Sequence, residues 1–343
     1  MLTSVIGGPH RRCAVGAEED VGALRRAVSR IADGQPGLRP GAGELVATEL
    51  GTNLLRHAHP GGWVLVRRCG DGIELISVDQ GPGLAPGALA PGAGTAVLPV
   101  RGGGLSAGLN VVRRYAAEFD CYSTRGGTVV YARLGTVDPG TAGRWRFGGV
   151  EVPRGGEGES GDAWAVAPDV AAEGLAAVVV DGLGHGPAAA VAAGAAIGAF
   201  AQDPAGELDA LFRRSHEAMR VTRGGVLGAC RIDPAGGTLT YSGVGNITGR
   251  VLSGARSVHL LDRPGTLGTQ LAQPAVRPQT CAWESGATLV LATDGIRSGW
   301  NLDAHPRLLG HHPAVVAAVL HRDHGRLTDD ATVLVVRDGS GAA

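Results

Sequence analysis

The 343-residue chain contains no lysine, so its 31 basic residues are all arginine, set against 32 acidic ones. That absence excludes a Walker-type phosphate loop, which needs its lysine, and Schiff-base chemistry on a lysine amine. An excess of charge of either sign is also lacking. The net charge of −1 gives no broad electrostatic case for nucleic acid or for an anionic membrane. Cysteines are few and scattered (Cys13, Cys69, Cys121, Cys230, Cys281), with no C-x-x-C pair. Neither a zinc site nor a disulfide framework is indicated, and reduced thiols in the cytoplasm are expected. The N-terminus lacks a basic segment followed by an apolar run, so no signal peptide is expected. Its most apolar stretch, Ala188 to Ala201, is too short and too rich in Ala and Gly to span a bilayer. A soluble, cytoplasmic protein with no membrane or nucleic-acid partner is the expectation.

What is present is glycine, 58 residues of it, in a chain that is 44% hydrophobic and 18% charged. Those proportions fit a globular chain, and the length suggests two domains each able to bury its own core. Codon bias is the simplest origin of a composition this rich in Gly, Ala and Arg.

The first 138 residues alternate helix and strand. Glu18 to Ile31 carries helical apolar spacing (Val21, Leu24, Val28, Ile31) and stops at Asp33-Gly34. A second helix is expected from about Gly43 to Ala58. Trp63 to Arg68 and Ile73 to Val78 read as a hairpin around an Asp-Gly turn. The Gly/Pro/Ala-rich run Gly81 to Gly104 has no usable periodicity, and a loop of that length is usually functional or mobile. A helix over Leu105 to Phe119 and a strand over Thr128 to Leu134 follow. Gly135 to Gly143 is the best boundary, dividing the chain into domains 1–138 and 139–343. Beyond it, strands are expected at Ala176 to Val180, Val226 to Ile232, Thr238 to Ser242, Arg250 to Leu252, Thr288 to Ala292 and Ala331 to Val336. Helices are expected at Gly186 to Phe200 and Leu208 to Arg220. Helices in runs and strands in runs argue for an α+β fold with layered antiparallel sheets.

In the first domain, Glu49 and Asn53 are four apart and share one helix face, which His57 continues. A carboxylate and an amide in line can hold a general base beside a metal ligand, although such pairs are more often a solvated face. The next strand delivers Asp79-Gln80-Gly81-Pro82-Gly83, an acceptor followed by glycines that let backbone approach a flat ligand. Gly102-Gly103-Gly104-Leu105-Ser106-Ala107-Gly108 then opens a helix, where glycine-flanked amides make a phosphate seat without lysine. In this order the three motifs resemble the GHKL (Bergerat) ATP-binding domain of gyrase, heat-shock protein 90 and histidine kinases. They resemble most closely the anti-sigma-factor serine/threonine kinases, over about Ala17 to Leu134. The resemblance implies an α/β sandwich that binds ATP. In it Asn53 would take Mg²⁺, Glu49 would activate the attacking hydroxyl, and Asp79 would accept from the adenine amino group. Gly81, Gly83, Gly102, Gly103, Gly104 and Gly108 would line the nucleotide and its phosphates. Two departures stand out: the Pro/Ala-rich loop Leu84 to Arg101 lacks polar lid residues, and Gly51 sits mid-helix at a cost of about 1 kcal/mol relative to Ala.

In the second domain, aspartates recur at Ser160-Gly161-Asp162, Val180-Asp181-Gly182, Thr293-Asp294-Gly295 and Thr328-Asp329-Asp330. Any one Asp-Gly after a strand is usually a turn. Four converging would repel one another and require cations, and oxygen ligands select Mg²⁺ or Mn²⁺. Paired ions of that kind can activate a water for in-line attack on a phosphoryl group. Order and context, above all Asp181-Gly-Leu-Gly-His185-Gly-Pro-Ala-Ala, resemble the SpoIIE branch of the protein phosphatase 2C (PPM) superfamily over about Trp145 to Arg337. That resemblance implies an α-β-β-α sandwich with Asp162, Asp181, Asp294 and Asp329 as metal ligands, joined by the Gly182 carbonyl. Asp330 competes with Asp329 for the last place. His185 is either a phosphoryl-orienting group or a turn residue, and Asn246 reads as a turn residue. Thr222-Arg223-Gly224-Gly225 is similar to the compact phosphatase of the stressosome pathway.

Together the resemblances imply a partner-switching regulator with opposed kinase-like and phosphatase activities. Its substrates would be STAS-domain anti-sigma antagonists or stressosome proteins, with a sigma factor or an activator phosphatase involved indirectly. One alternative is a phosphatase whose first domain binds nucleotide and docks a partner without transferring phosphate. Another is a scaffold in which the aspartates are turns only.

Overall fold

The computed structural model describes residues 5–84, 105–136, 144–155, 158–169 and 172–339. The chain forms two compact units. One comprises His10–Asp138 with Leu302–His311, the other Met1–Pro9, Pro139–Asn301 and His312–Ala343. The long division therefore falls at Asp138/Pro139, while two short pieces belong to the unit opposite to the one their sequence position suggests. Strand β1 (Ile6–Gly7) is one of them and lies in the second unit.

The first unit runs β2 (Arg11–Val15), α1 (Glu18–Ala32), α2 (Ala42–His57), β3 (Gly62–Cys69), β4 (Gly72–Asp79), α3 (Leu105–Tyr115), β5 (Glu118–Thr124) and β6 (Gly127–Leu134). Three acidic residues open α1, and the Asp20 carboxylate accepts the Gly16 and Ala17 amides at 2.9 Å each. Both features satisfy the positive, donor-rich start of a helix. The strands form one antiparallel sheet in the order β2-β3-β4-β6-β5. Val64, Val66, Ile73, Leu75, Ala132 and Leu134 from the sheet bury against Leu24, Val28, Val46, Leu50 and Leu54 of α1 and α2 and against Leu109 and Val112 of α3. The result is a two-layer α/β sandwich. Gly51 lets α1 approach α2, since a Cβ there would stand 3.2 Å from Val21 and 3.4 Å from Leu24.

Two elements differ from the sequence expectation. The helix expected to Phe119 stops at Tyr115, because the Ala117 amide bonds the Arg133 carbonyl at 2.8 Å and turns the chain into the sheet as β5. The edge strand β2 shows only one fully buried residue in five, too little pattern to be read in advance.

The second unit continues with β7 (Trp145–Val152), β8 (Asp162–Asp169), β9 (Gly174–Gly182), α4 (Pro187–Gln202), α5 (Leu208–Met219), β10 (Gly225–Asp233) and β11 (Thr238–Val244). It closes with β12 (Thr248–Ser253), β13 (Arg256–Leu260), β14 (Gln279–Ala282), β15 (Thr288–Ala292), α6 (Pro313–His324) and β16 (Ala331–Asp338). Two antiparallel sheets result, β1-β8-β9-β10-β11-β14 and β13-β12-β15-β16-β7. Trp164, Val166, Ala177 and Val179 of one sheet pack on Leu289, Leu291, Leu334 and Val336 of the other. Ala192, Ala193, Ala196, Phe200 and Phe212 of α4 and α5 cover the outer face of the first sheet. Helix α6 packs on β16 and β7, so the layers stack α-β-β-α. The sequence Pro-Ala-Val-Val-Ala-Ala-Val-Leu of α6 is buried on every side, which removes the amphipathic period that would have announced it. All five cysteines are free thiols, and no helix among the described residues is long and apolar enough to cross a membrane.

Candidate functional site

Strands β8 and β9 pair with Asp162 directly opposite Asp181, Trp164 opposite Val179 and Val166 opposite Ala177. Residues opposite each other share a face. The two carboxylates therefore end a row whose other members fill the core between the sheets. From the facing sheet, Thr293 and Asp294 follow β15, and Asp329 and Asp330 precede β16. Thr293 ties the sheets together: its hydroxyl donates to Asp162 Oδ2 at 2.7 Å and accepts from the Thr332 amide at 2.9 Å.

Glycine is required beside the aspartates by space. A Cβ on Gly161 would stand 2.8 Å from Asp330 Oδ2, and one on Gly182 would strike the Ala189 carbonyl. The sequence left Asp329 and Asp330 as rivals, and their surroundings differ. Asp330 is buried and accepts two backbone amides, Arg154 at 2.7 Å and Gly161 at 2.8 Å. Among the described residues, Asp329 accepts only the amide of its neighbour, at 3.0 Å. Asn246, read from the sequence as a turn residue, donates its side-chain amide to Asp294 Oδ2 at 2.9 Å.

Electrostatics show the cluster acting as one. Burial, and then the charges of Asp294, Asp329 and Asp330, push Asp181 up to about 7. Asp162 is held well above the usual carboxylate range by burial and then by Asp181, with the Thr293 bond opposing. No arginine or histidine among the described residues pairs with Asp162, Asp181, Asp294 or Asp329. Nor do three His, Cys, Asp or Glu side chains among the described residues converge closely enough to cage an ion. Uncompensated carboxylates gathered in this way fit hard cations that keep several of their own waters and take one or two carboxylates each. A separate cavity of about 510 Å³ opens at the opposite end of β9, beside Asp169, Glu207, Arg231 and Asp233. None of the expected site residues lines it.

Residues 171–338 match the family model for stage II sporulation protein E (SpoIIE). A structure described under the bacterial stressosome, a modular system adapted to control secondary messenger signalling, is 31% identical. It is matched over 57% of this chain and all of its own, with a TM-score of 0.52. Through this domain the chain belongs to the SpoIIE family of PP2C-type phosphatases. Other similar structures are RsbX in complex with magnesium (21% identity, 56% of this chain and 94% of that one, TM-score 0.47) and a SpoIIE fragment. The latter, the PP2C phosphatase domain and part of the regulatory domain from Bacillus subtilis, is 14% identical over 78% of this chain and 79% of its own, TM-score 0.46. No curated protein matches the chain.

Outside the SpoIIE-type domain, the first unit gathers its own polar group. Glu49 and Asn53 on α2 face Gly108 on α3, where a Cβ would stand 2.7 Å from Glu49 Oε2 and 3.2 Å from Asn53 Oδ1. The Asn53 Nδ2 atom is buried without a hydrogen-bond partner among the described residues. At the end of β4, Asp79 Oδ1 accepts the Gly81 amide at 2.8 Å and the Thr128 amide at 3.0 Å. Thr128 was not singled out from sequence; its signal is the Gly127-Thr128 start of β6 lying beside the end of β4. Gly83 packs on the Thr124 carbonyl. The expected phosphate-seat residues Gly102, Gly103 and Gly104, like the loop 85–104, lie outside the described residues.

Proposed function

We propose that the chain is a Mg²⁺- or Mn²⁺-dependent phosphoserine/phosphothreonine phosphatase that works in a partner-switching circuit. The observation that carries this reading is Asp162 directly opposite Asp181 at the end of the inter-sheet core, tied through Thr293 to the facing sheet whose strand ends carry Asp294 and Asp329. Asp162, Asp181, Asp294 and Asp329, with the Gly182 carbonyl, would hold the ions. Asp330 is better suited to clasping Gly161 and Arg154. Divalent cations held there would supply a water made acidic enough to attack phosphorus and to return its proton to the departing serine or threonine oxygen. The chain's own part is to hold the carboxylates in place. Thr293 fixes Asp162 from the facing sheet, and Asn246 fixes Asp294.

Residues 1–138 are proposed as an ATP-binding, GHKL-like domain and 139–343 as the phosphatase. Support for the first lies in the close packing of Gly108 on Glu49 and Asn53 and in the two amides on Asp79. Glu49 would take the proton of an attacking hydroxyl, Asn53 would hold Mg²⁺, and Asp79 would accept from adenine. The substrates proposed are STAS-domain proteins, in keeping with the stressosome and SpoIIE relatives. The Pro/Ala-rich composition of Leu84 to Arg101 favours a second reading, in which nucleotide is bound without phosphotransfer. Labelled ATP and a STAS-domain protein separate the two. Label transfer lost in Glu49→Ala supports a kinase; nucleotide binding without transfer supports a docking module. For the phosphatase, Mn²⁺-dependent release of phosphate from the phosphorylated STAS protein is expected from the full chain. Its absence, or its survival in Asp181→Asn, would overturn the reading.

A further inference from the structure

A phosphomonoester carrying close to two negative charges must approach a cluster of carboxylates in a chain that has no lysine. Its permanent cations are all arginines. The backbone amides of Arg154, Arg297 and Arg326 bond Asp330, the His324 carbonyl and the Gly295 carbonyl, near the strand ends that carry Asp294 and Asp330. Arg223 lies beside the strand end that carries Asp181.

Its backbone is fixed from both sides. The Gly224 carbonyl accepts the Leu183 amide at 2.9 Å, and Gly225 pairs with Gly182 where Val226 stands opposite Asp181. The Thr222 hydroxyl donates to the Met219 carbonyl at 2.7 Å and accepts the Gly224 amide at 3.0 Å. Arg223 therefore begins from a rigid turn beside the strand end that carries Asp181. Its side chain then lies over the loop 182–185. A Cβ on Gly184, itself at φ +89°, would stand 3.0 Å from an Arg223 terminal nitrogen. Arg223 is exposed, and its guanidinium makes no hydrogen bond or ion pair with any described residue. A cation on a fixed turn, with no partner among the described residues, keeps its donor fork for an incoming anion, and the guanidinium fork matches phosphoryl oxygens two at a time.

We propose that Arg223 binds the phosphoryl oxygens of the substrate, as a specificity-determining contact on the rim of the aspartate site. The inference rests on the phosphatase reading above. Arg223 holds the ground state and takes no part in bond making, so its loss affects substrate capture more than turnover.

The test compares full-length wild type, Arg223→Ala, Arg223→Lys and the remote control Arg256→Ala in Mn²⁺. Substrates are p-nitrophenyl phosphate and a phosphothreonine peptide, and inorganic phosphate serves as competitive inhibitor. Arg223→Ala is expected to raise KM and the phosphate inhibition constant together, by about tenfold or more, as suits loss of a hydrogen bond to a charged group. Its kcat should stay within about twofold, Arg223→Lys should recover part of the loss as a point charge, and Arg256→Ala should match wild type. Unchanged KM and phosphate inhibition in Arg223→Ala would overturn the inference while leaving the phosphatase reading intact. So would a fall in kcat alone. If Arg223→Ala does not fold, the same two constants in Arg223→Lys decide. Wild type without metal-dependent activity would overturn the phosphatase reading, and this inference with it.

Discussion

Asp162 and Asp181 stand directly opposite each other on β8 and β9, both turned toward the second sheet at the end of the inter-sheet core. Adjacent strands place such side chains about 4.5–5.5 Å apart at Cβ, where two carboxylates cannot both ionise freely without cations. That relationship sets the pH behaviour expected of the metal-free protein. Asp181 moves from 3.8 up to about 7 on folding, and Asp162 moves in the same direction. The folded state holds these protons more tightly than the unfolded chain, so the stabilisation is full below the unfolded value and fades as pH rises toward about 7. The melting temperature of chelated wild type, minus that of chelated Asp181→Asn, should therefore fall by several degrees across that window. Mn²⁺ should restore wild type at pH 7.5 and leave Asp181→Asn little changed. A difference independent of pH would count against the coupled cluster.

Thr293 joins the two sheets through Asp162 and Thr332. Thr293→Val is expected to lower stability by about 2 kcal/mol, the scale of a hydrogen bond to a charged group. It should also weaken Mn²⁺ affinity roughly 10-fold or more, as removal of an outer partner does. Thr293→Ser should restore both. Denaturant melts and calorimetric Mn²⁺ titration measure the two effects separately.

Gly108 tests the first unit. Alanine gains about 1 kcal/mol of helix propensity over glycine, so Gly108→Ala should not unfold the domain. Its Cβ would nevertheless displace Glu49 and Asn53, which stand 2.7 and 3.2 Å from that position. Titration with a fluorescent ATP analogue should show affinity reduced by at least an order of magnitude. Wild-type affinity in Gly108→Ala would remove this corner of the unit from the nucleotide site.

Gly51 tests the packing of α1 on α2. A valine there must fit where Val21 and Leu24 stand 3.2 to 3.4 Å from even a Cβ. Gly51→Val should cost about 1–3 kcal/mol by overpacking, read from the urea midpoint. Gly51→Ala should come out close to neutral, its propensity gain offset by the crowding.

Much of this was legible in the sequence, and for physical reasons. Strands such as Thr288–Ala292, buried throughout, and helices with one apolar stripe, such as α1, announce themselves by pattern. Each Asp-Gly pair alone read as a turn, and only their order and context pointed to a shared site; the space that requires Gly182 and Gly295, where a Cβ would meet neighbouring backbone, is a tertiary fact. What escaped was decided by tertiary contact. Helix α6 is buried on all sides and shows no period, and β5 exists because β6 offers it an edge. The supporting bonds of Thr293, Asn246 and Thr128 join residues as far as 131 positions apart, a distance at which no local motif operates. Gly51 looked like a local defect until α1 was seen to occupy the space it leaves.

The central claim is that the converging aspartates hold the cations of a protein phosphatase. Phosphate release from a phosphothreonine peptide by the full chain, in Mn²⁺ and after chelation, tests it most directly when wild type and Asp181→Asn are run side by side. Activity that requires the metal and falls by at least about a thousandfold in Asp181→Asn is the predicted result. Activity that persists after chelation, or survives in Asp181→Asn, would contradict the account.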